Sequence, residues 1–361
     1  MAIRILVLMV CCIGALATGA RAAAPQTVRW SAPATDVVET RDVVFENEGA
    51  SLSGTLYLPR DQPVRGALVV THGASSALRD RALYLHLREM LPPLGMAVLL
   101  YDRRGSGGST GVLADSDYAV LARDALAGRR VVIDQLQLPQ DRVGFWGLSQ
   151  GGWLAMLAGS QEADAAFVIS VSAPLVTPDV QMMFASESIL AIKGYDDSEI
   201  AVALAARRAV DGHLRGEMTA AEAQPLLDAA ISRPWFGDIY MSPRLGDPAT
   251  SRWLREMRHD PLTILPDLHA PTLLIYGAED PWIPVEESAR RFADLRLANP
   301  DISIAVLAGL DHAMMRGRSP AHQIDPEYMR EEAPNAPAYF ALITAWLTGR
   351  GFLAPSARGR P

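Results

Sequence analysis

Six short apolar runs, each separated from the next by a stretch of helical character, constrain this chain more than any other feature of its sequence. They are residues 67–70, 97–101, 142–146, 167–171, 272–276 and 302–307. Continuous β-forming runs of this length, bounded by helices, are what a parallel sheet covered on both faces requires, because its strands have no solvent side to show in alternation. Ahead of them, residues 42–45 and 52–58 read as a strand pair at the sheet edge that ends at Pro59. Helices are expected at 80–91, 117–135, 150–159, 285–297 and 337–347. The expected class is therefore α/β, with a mostly parallel central sheet and helices on both faces.

The strand–helix rhythm breaks between Leu175 and Asp260. That interval has helical periodicity at 200–214, a Thr219-x-x-Glu222 capping-box pattern and the bulky group Trp235, Phe236, Tyr240, Met241 and Trp253. It reads as a helical cap inserted into the sheet domain, with Pro225 kinking or restarting its second helix. Its aromatics either line an apolar acyl pocket or pack the cap onto the sheet. The expected division is a signal peptide (1–24), a linker (25–40), the first part of the core (41–174), the cap (175–260), the second part of the core (261–352) and a disordered tail (353–361).

The start of the chain resembles an export signal: Arg4, an apolar run from Ile5 to Ala17, then small residues around Ala20, Ala22 and Ala24. The run is shorter than the ~20 residues of a spanning helix. An exported, periplasmic or secreted protein with no stable membrane insertion after processing is the expectation. Both cysteines, Cys11 and Cys12, lie in this segment, so the processed chain would have no disulfide and no Cys-ligated metal. Lys and Arg total 33 against 41 acidic residues, a formal charge of -8 with no basic run. That balance offers nucleic acid or an anionic membrane nothing to bind. A small neutral molecule is the expected partner.

The chemistry concentrates at Gly147-Leu148-Ser149-Gln150-Gly151, a G-x-S-x-G that follows one apolar run and precedes a helix-forming series. At a sharp strand-to-helix turn the serine hydroxyl is presented above the sheet, and small flanking residues avoid collisions. The same expression fits Gly107-Gly108-Ser109-Thr110-Gly111, which has no helix behind it and reads as a loop. A nucleophilic serine needs a base, and the base an orienting carboxylate. In hydrolases with this turn the acid follows the serine and the histidine comes last, which sets His72 and His86 aside. Asp280, in the turn after run 272–276, is the expected acid, with Glu279 beside it and Asp179 as alternatives. His312, in the short loop after run 302–307, is the expected base, ahead of His322. The backbone N–H groups of Ala74 and Gln150 are the expected oxyanion donors, with the His72 side chain bracing the first of those loops. No His pair at i, i+4 spacing suggests a metal, and Gly105–Gly111 lacks the Lys of a phosphate loop, so no cofactor is expected.

From about Val43 to Trp346 these motifs, together with His72-Gly73 and Tyr101-Asp102-Arg103-Arg104-Gly105-Ser106-Gly107-Gly108-Ser109, stand in an order that resembles the bacterial α/β-hydrolase esterases related to the serine aminopeptidase and dienelactone hydrolase groups. That resemblance implies an acyl-enzyme mechanism and gives Asp102 and its glycines the role of shaping a turn beside the site. Ester cleavage is the leading expectation for activity. Amide or small-peptide cleavage is the enzymatic rival, with Asp238, Glu256 or Arg252 as charged handles for a peptide terminus. A catalytically inactive binding module is the third reading.

Overall fold

The computed structural model describes residues 38–295, 301–326 and 335–354. The expected signal peptide and both cysteines lie outside them. In chain order the elements are β1 (Val38–Asn47), β2 (Ala50–Pro59), β3 (Gly66–Thr71), α1 (Leu85–Met90), β4 (Met96–Tyr101), α2 (Tyr118–Leu136), β5 (Val143–Leu148), α3 (Gln150–Ser160) and β6 (Val168–Val171). There follow α4 (Pro178–Ile192), α5 (Asp197–Arg215), α6 (Ala220–Ile231), α7 (Arg252–Glu256) and α8 (Pro261–Ile264). The chain then returns through β7 (Thr272–Gly277), α9 (Val285–Leu295), β8 (Ile302–Leu307), α10 (Pro320–Ile324) and α11 (Pro337–Gly349).

All eight strands join one sheet in the order β1-β2-β4-β3-β5-β6-β7-β8. β1 and β2 form an antiparallel hairpin at one edge, β2 pairs antiparallel with β4, and every later pairing is parallel. Every residue of β3, β4, β5, β6 and β7 is buried, as two covered faces demand. One apolar cluster, with Val69, Leu99, Phe145 and Leu154, covers one face, and a second, with Leu68, Trp146, Ile169 and Tyr339, covers the other. Alternate residues of the same strands therefore supply opposite layers. The parallel strands deliver their C-terminal ends, and the loops that follow them, to one edge.

Between β6 and β7 lies a helical segment with its own small cores, one built on Leu190, Ala203, Ala206 and Trp235, another on Val210, Leu214, Leu227 and Met257. Thr219 and Glu222 form the reciprocal capping box that the sequence spells. Pro225 does not restart the helix: α6 runs from Ala220 to Ile231 with the proline inside it. A proline there forfeits one i→i−4 bond, and the buried Ala223, Leu227 and Ala230 on the opposite flank keep the helix docked. Other departures are local. The helix expected from residue 80 begins as a 3₁₀ turn at Ala82–Tyr84 and stops before Pro92. β1 starts at Val38, inside the stretch expected as linker. Leu353, expected in the tail, is buried, and the Ala354 N–H donates to the Leu94 carbonyl at 2.9 Å. No helix among the described residues is long and apolar enough to cross a membrane.

One buried ion pair ties the hairpin to the sheet. Arg104 donates through Nε (3.1 Å) and Nη2 (2.6 Å) to the two carboxylate oxygens of Asp124 on α2, and Asn47 at the β1–β2 turn donates to the same carboxylate at 2.7 Å. The two side chains are 7% and 1% exposed. Removing one partner strands the other's charge away from water, so Asp124→Ala is expected to cost about 3–5 kcal/mol. Denaturant unfolding measures it: the midpoint falls, with the slope unchanged if only native stability is affected.

Candidate active site

Ser149 sits between the last residue of β5 and the first of α3, at φ 58° and ψ -127°. A non-glycine residue in that region is strained, and the surroundings hold it there. Its N–H donates to the Val171 carbonyl at 2.7 Å, and its carbonyl accepts from Gly152 N–H at 2.8 Å. Two glycines make the turn possible. A Cβ on Gly147 would lie 2.0 Å from the Gly151 carbonyl oxygen, and one on Gly151 would lie 2.5 Å from that of Thr71. The Thr71 hydroxyl bonds the Trp146 and Gly151 carbonyls at 3.0 and 2.6 Å, pinning β3 to the elbow. The Ser149 side chain makes no capping bond to α3, so the hydroxyl is not consumed by the helix it precedes.

The second G-x-S-x-G is structural. The Ser109 hydroxyl donates to the Asp102 carbonyl at 2.6 Å and accepts from Ser53 N–H at 2.9 Å. Asp102 receives the N–H groups of Gly108 (2.9 Å) and Arg79 (3.0 Å), which folds the loop after β4 back on itself.

Asp280 lies three residues beyond β7 and His312 five beyond β8. His312 Nδ1 donates to Asp280 Oδ2 at 2.6 Å, and that carboxylate is fully buried. Its other oxygen accepts from the Trp282 N–H at 2.8 Å. Burial pulls the His312 pKa down, but the charge of Asp280 and its hydrogen bond outweigh that pull, and the net shift is upward from 6.5. Glu279 is exposed, its N–H bonded to the Leu310 carbonyl. Asp179 pairs with Arg215 on α5. Neither meets the histidine.

The histidine loop is tied to the serine elbow through shared neighbours. Ser149 N–H is fastened to Val171, and the next residue, Ser172, donates its hydroxyl to the His312 carbonyl at 2.8 Å. His312 contacts Asp280 by its side chain, Ser172 by its carbonyl and Gln323 by its N–H (3.1 Å). Among the described residues it has no hydrogen bond to Ser149. Bonds of this kind commonly tighten only around substrate. The Gln323 amide also donates to the Glu279 carbonyl at 2.6 Å, so one side chain clamps the acid loop to the histidine loop. Asp311 receives the N–H groups of Ala313 and Met315, curling the loop around His312.

The three other histidines weighed from the sequence have other work. His72 donates Nε2–H to the Tyr101 carbonyl at 2.6 Å, and burial lowers its pKa to about 4, so it stays neutral and braces the loop. His86, likewise lowered to about 4 chiefly by burial, lies between the Leu83 carbonyl and the Tyr339 hydroxyl. His322 stands in the first turn of α10, its N–H accepted by the Ser319 hydroxyl. Ala74 and Gln150 occupy the loop after β3 and the first position of α3, and Arg103 bonds both segments: to the Ala74 carbonyl (3.1 Å), the Gly73 carbonyl (3.3 Å) and Gln150 Oε1 (3.5 Å). No group of three or more His, Cys, Asp or Glu that could hold a metal occurs among the described residues.

This sheet, carrying a serine elbow at one strand end and an acid–histidine pair after two later ones, defines an α/β hydrolase. Residues 62–318 match the family described as Serine aminopeptidase, S33, and the chain belongs to that family. Among solved structures it is similar to an esterase of Pyrococcus furiosus (TM-score 0.56, 18% identity, 89% of this chain and 94% of that one). It is also similar to a proline iminopeptidase of Mycobacterium smegmatis (TM-score 0.52, 18% identity, 86% and 99%). At these identities the likeness is one of fold. An uncharacterized protein of Mycobacterium tuberculosis is 31% identical over 129 residues, which is 36% of this chain and 44% of that protein. The chain thus matches less than half the length of this curated relative.

Proposed function

We propose that this hydrolase cleaves carboxylic esters through an acyl-enzyme, with Ser149 as nucleophile, His312 as base and Asp280 as its orienting acid. The observation that carries the proposal is the 2.6 Å bond from His312 Nδ1 to a fully buried Asp280, at the sheet edge where Ser149 is held at φ 58°. With the proton committed to Nδ1, the other ring nitrogen is free to take the serine proton and return it to the leaving alcohol. The N–H groups of Ala74 and Gln150 are the donors assigned to the developing oxyanion, the latter helped by the N-terminus of α3. Water then releases the acid. The helical segment between β6 and β7 acts as a cap over the site; Trp235 and Trp253 pack within that segment's own small cores. Export is part of the same proposal, supported by the leader-like pattern of Arg4 and the apolar run from Ile5 to Ala17.

The rival reading, aminopeptidase-type amide cleavage, suits the family name but needs a carboxylate free to grip a substrate amine. Two candidates are already paired: Asp238 with Lys193 at 2.7 Å and Glu256 with Arg252 at 2.5 Å. That pairing favours an uncharged ester. The test is a rate profile over p-nitrophenyl esters of increasing chain length beside aminoacyl anilides, with fluorophosphonate labelling of the active serine. The expected result is labelling and ester turnover at least 100-fold above anilide turnover. Faster anilide cleavage transfers the assignment to a peptidase, and absence of both labelling and turnover in folded protein leaves a binding module.

A further inference from the structure

We infer that Arg103 is the positioning residue of the oxyanion site, its guanidinium setting the distance between the loop that carries Ala74 and the helix turn that carries Gln150. This rests on the serine-hydrolase reading above. Two N–H groups can stabilise one oxygen only if both stay within about 2.7–3.1 Å of where its charge develops. Here they belong to segments more than seventy residues apart in sequence, and backbone pairing between β3 and β5 stops at Thr71 and Gly147, short of both. Beyond that point a side chain bridges the gap. Arg103 Nη2 bonds the Ala74 carbonyl at 3.1 Å, while Nη1 reaches the Gly73 carbonyl at 3.3 Å and Gln150 Oε1 at 3.5 Å.

The brace is itself held. The Arg103 N–H donates to the Ala77 carbonyl at 2.8 Å and its carbonyl accepts from Ser106 N–H at 2.9 Å, so it starts from the folded turn that Asp102 shapes. The Gln150 amide donates onward to the Tyr118 hydroxyl at 3.2 Å, fixing which end of that amide faces the guanidinium. Arg103 is only 6% exposed, and its Nε has no partner among the described residues. Among the described residues the Arg103 side chain bonds these three oxygens and pairs directly with no carboxylate, as Arg104 does with Asp124; Glu256 acts on it through its charge without a direct bond, so the guanidinium is placed by the three oxygens. The planar fork matters: an ammonium is a point charge and cannot span three acceptors at these angles.

The test compares wild type with Arg103→Lys and Arg103→Met, reading kcat and KM for a short p-nitrophenyl ester, the affinity of an alkylboronic acid that forms a tetrahedral adduct with the serine, and the melting temperature. A displacement on the order of 1 Å costs up to about 100-fold. Both variants are expected to lose roughly 10- to 100-fold in kcat, with KM within about twofold and boronate affinity falling by a similar factor, since only charge developed at the tetrahedral oxygen depends on the spacing. Gln150→Leu, which removes one of the three anchors, should lose less in the same sense. Folded variants with wild-type kcat and boronate affinity overturn the inference, as does a loss expressed wholly in KM. Failure of both Arg103 variants to fold also overturns it, because the cation would then be a structural core residue. If wild type itself neither turns over esters nor is labelled by a fluorophosphonate, it is the serine reading that has failed.

Discussion

Replacing Ser149 by alanine is expected to lower kcat for a good ester substrate by about a millionfold, the scale on which loss of a nucleophile removes triad catalysis. That is about 8 kcal/mol of transition-state stabilisation. The variant should nevertheless fold like the parent. Alanine carries the same Cβ as serine, so the strain at φ 58° is unchanged. The hydroxyl makes no capping bond to α3, so none is lost. A change in stability within about 0.5 kcal/mol is the expectation for a substitution that touches none of the large-effect mechanisms. The paired measurement is single-turnover rate and melting temperature on one preparation. An inactive variant that also melts early would show only that the elbow had collapsed. Activity within tenfold of the parent would remove Ser149 from the chemistry.

The parts of this molecule that were legible in its sequence are those whose cause is local. The apolar parts of runs 142–146 and 272–276 read as buried strands because a two-sided strand must be apolar throughout, and they fall in β5 and β7, with Arg142 left in the turn before β5. Gly147 and Gly151 read as elbow glycines because a side chain there would collide with backbone within 2.5 Å. Thr219 and Glu222 read as a capping box because three residues suffice to define one. Gln323, Ser172 and Arg103 could not be read in this way. Each works by bonding a backbone carbonyl or N–H on a segment distant in sequence, as Gln323 does to Glu279 and His312. A glutamine in a short helix carries no mark of that role until both loops are folded around it. As a restart signal Pro225 was misleading for the opposite reason: the local rule is sound, but packing of α6 on its neighbours carries the helix past the proline. Leu353 shows the same priority, since a Gly- and Arg-rich surrounding suggests a tail while its own side chain is buried in the second apolar cluster.

Asp280→Asn tests the acid more sharply than any truncation, because the change preserves shape and removes one acceptor. Both Asp280 oxygens now accept, Oδ1 from the Trp282 N–H at 2.8 Å and Oδ2 from His312 Nδ1 at 2.6 Å. An asparagine has one carbonyl oxygen and must turn its NH2 toward one of the two donors. The backbone N–H of Trp282 cannot become an acceptor, whereas an imidazole can by moving its proton from Nδ1 to Nε2. The amide oxygen is therefore expected to face Trp282 and the NH2 to face the ring, leaving Nε2 protonated and unable to receive the serine proton. A wrong tautomer of this kind costs on the order of 10⁴-fold in kcat. The pH dependence supplies an independent sign. Burial alone lowers the His312 pKa, and Asp280 is the chief reason its net shift is upward from 6.5. The base must be neutral to act, so wild-type kcat/KM should rise with pH through a midpoint above 6.5. Without the carboxylate charge the burial contribution dominates, and the residual activity of Asp280→Asn should reach half its plateau at a lower pH than wild type. A rate profile that keeps the same acid limb in both proteins would mean that another group sets it, and would leave the buried Asp280–His312 pair a structural contact.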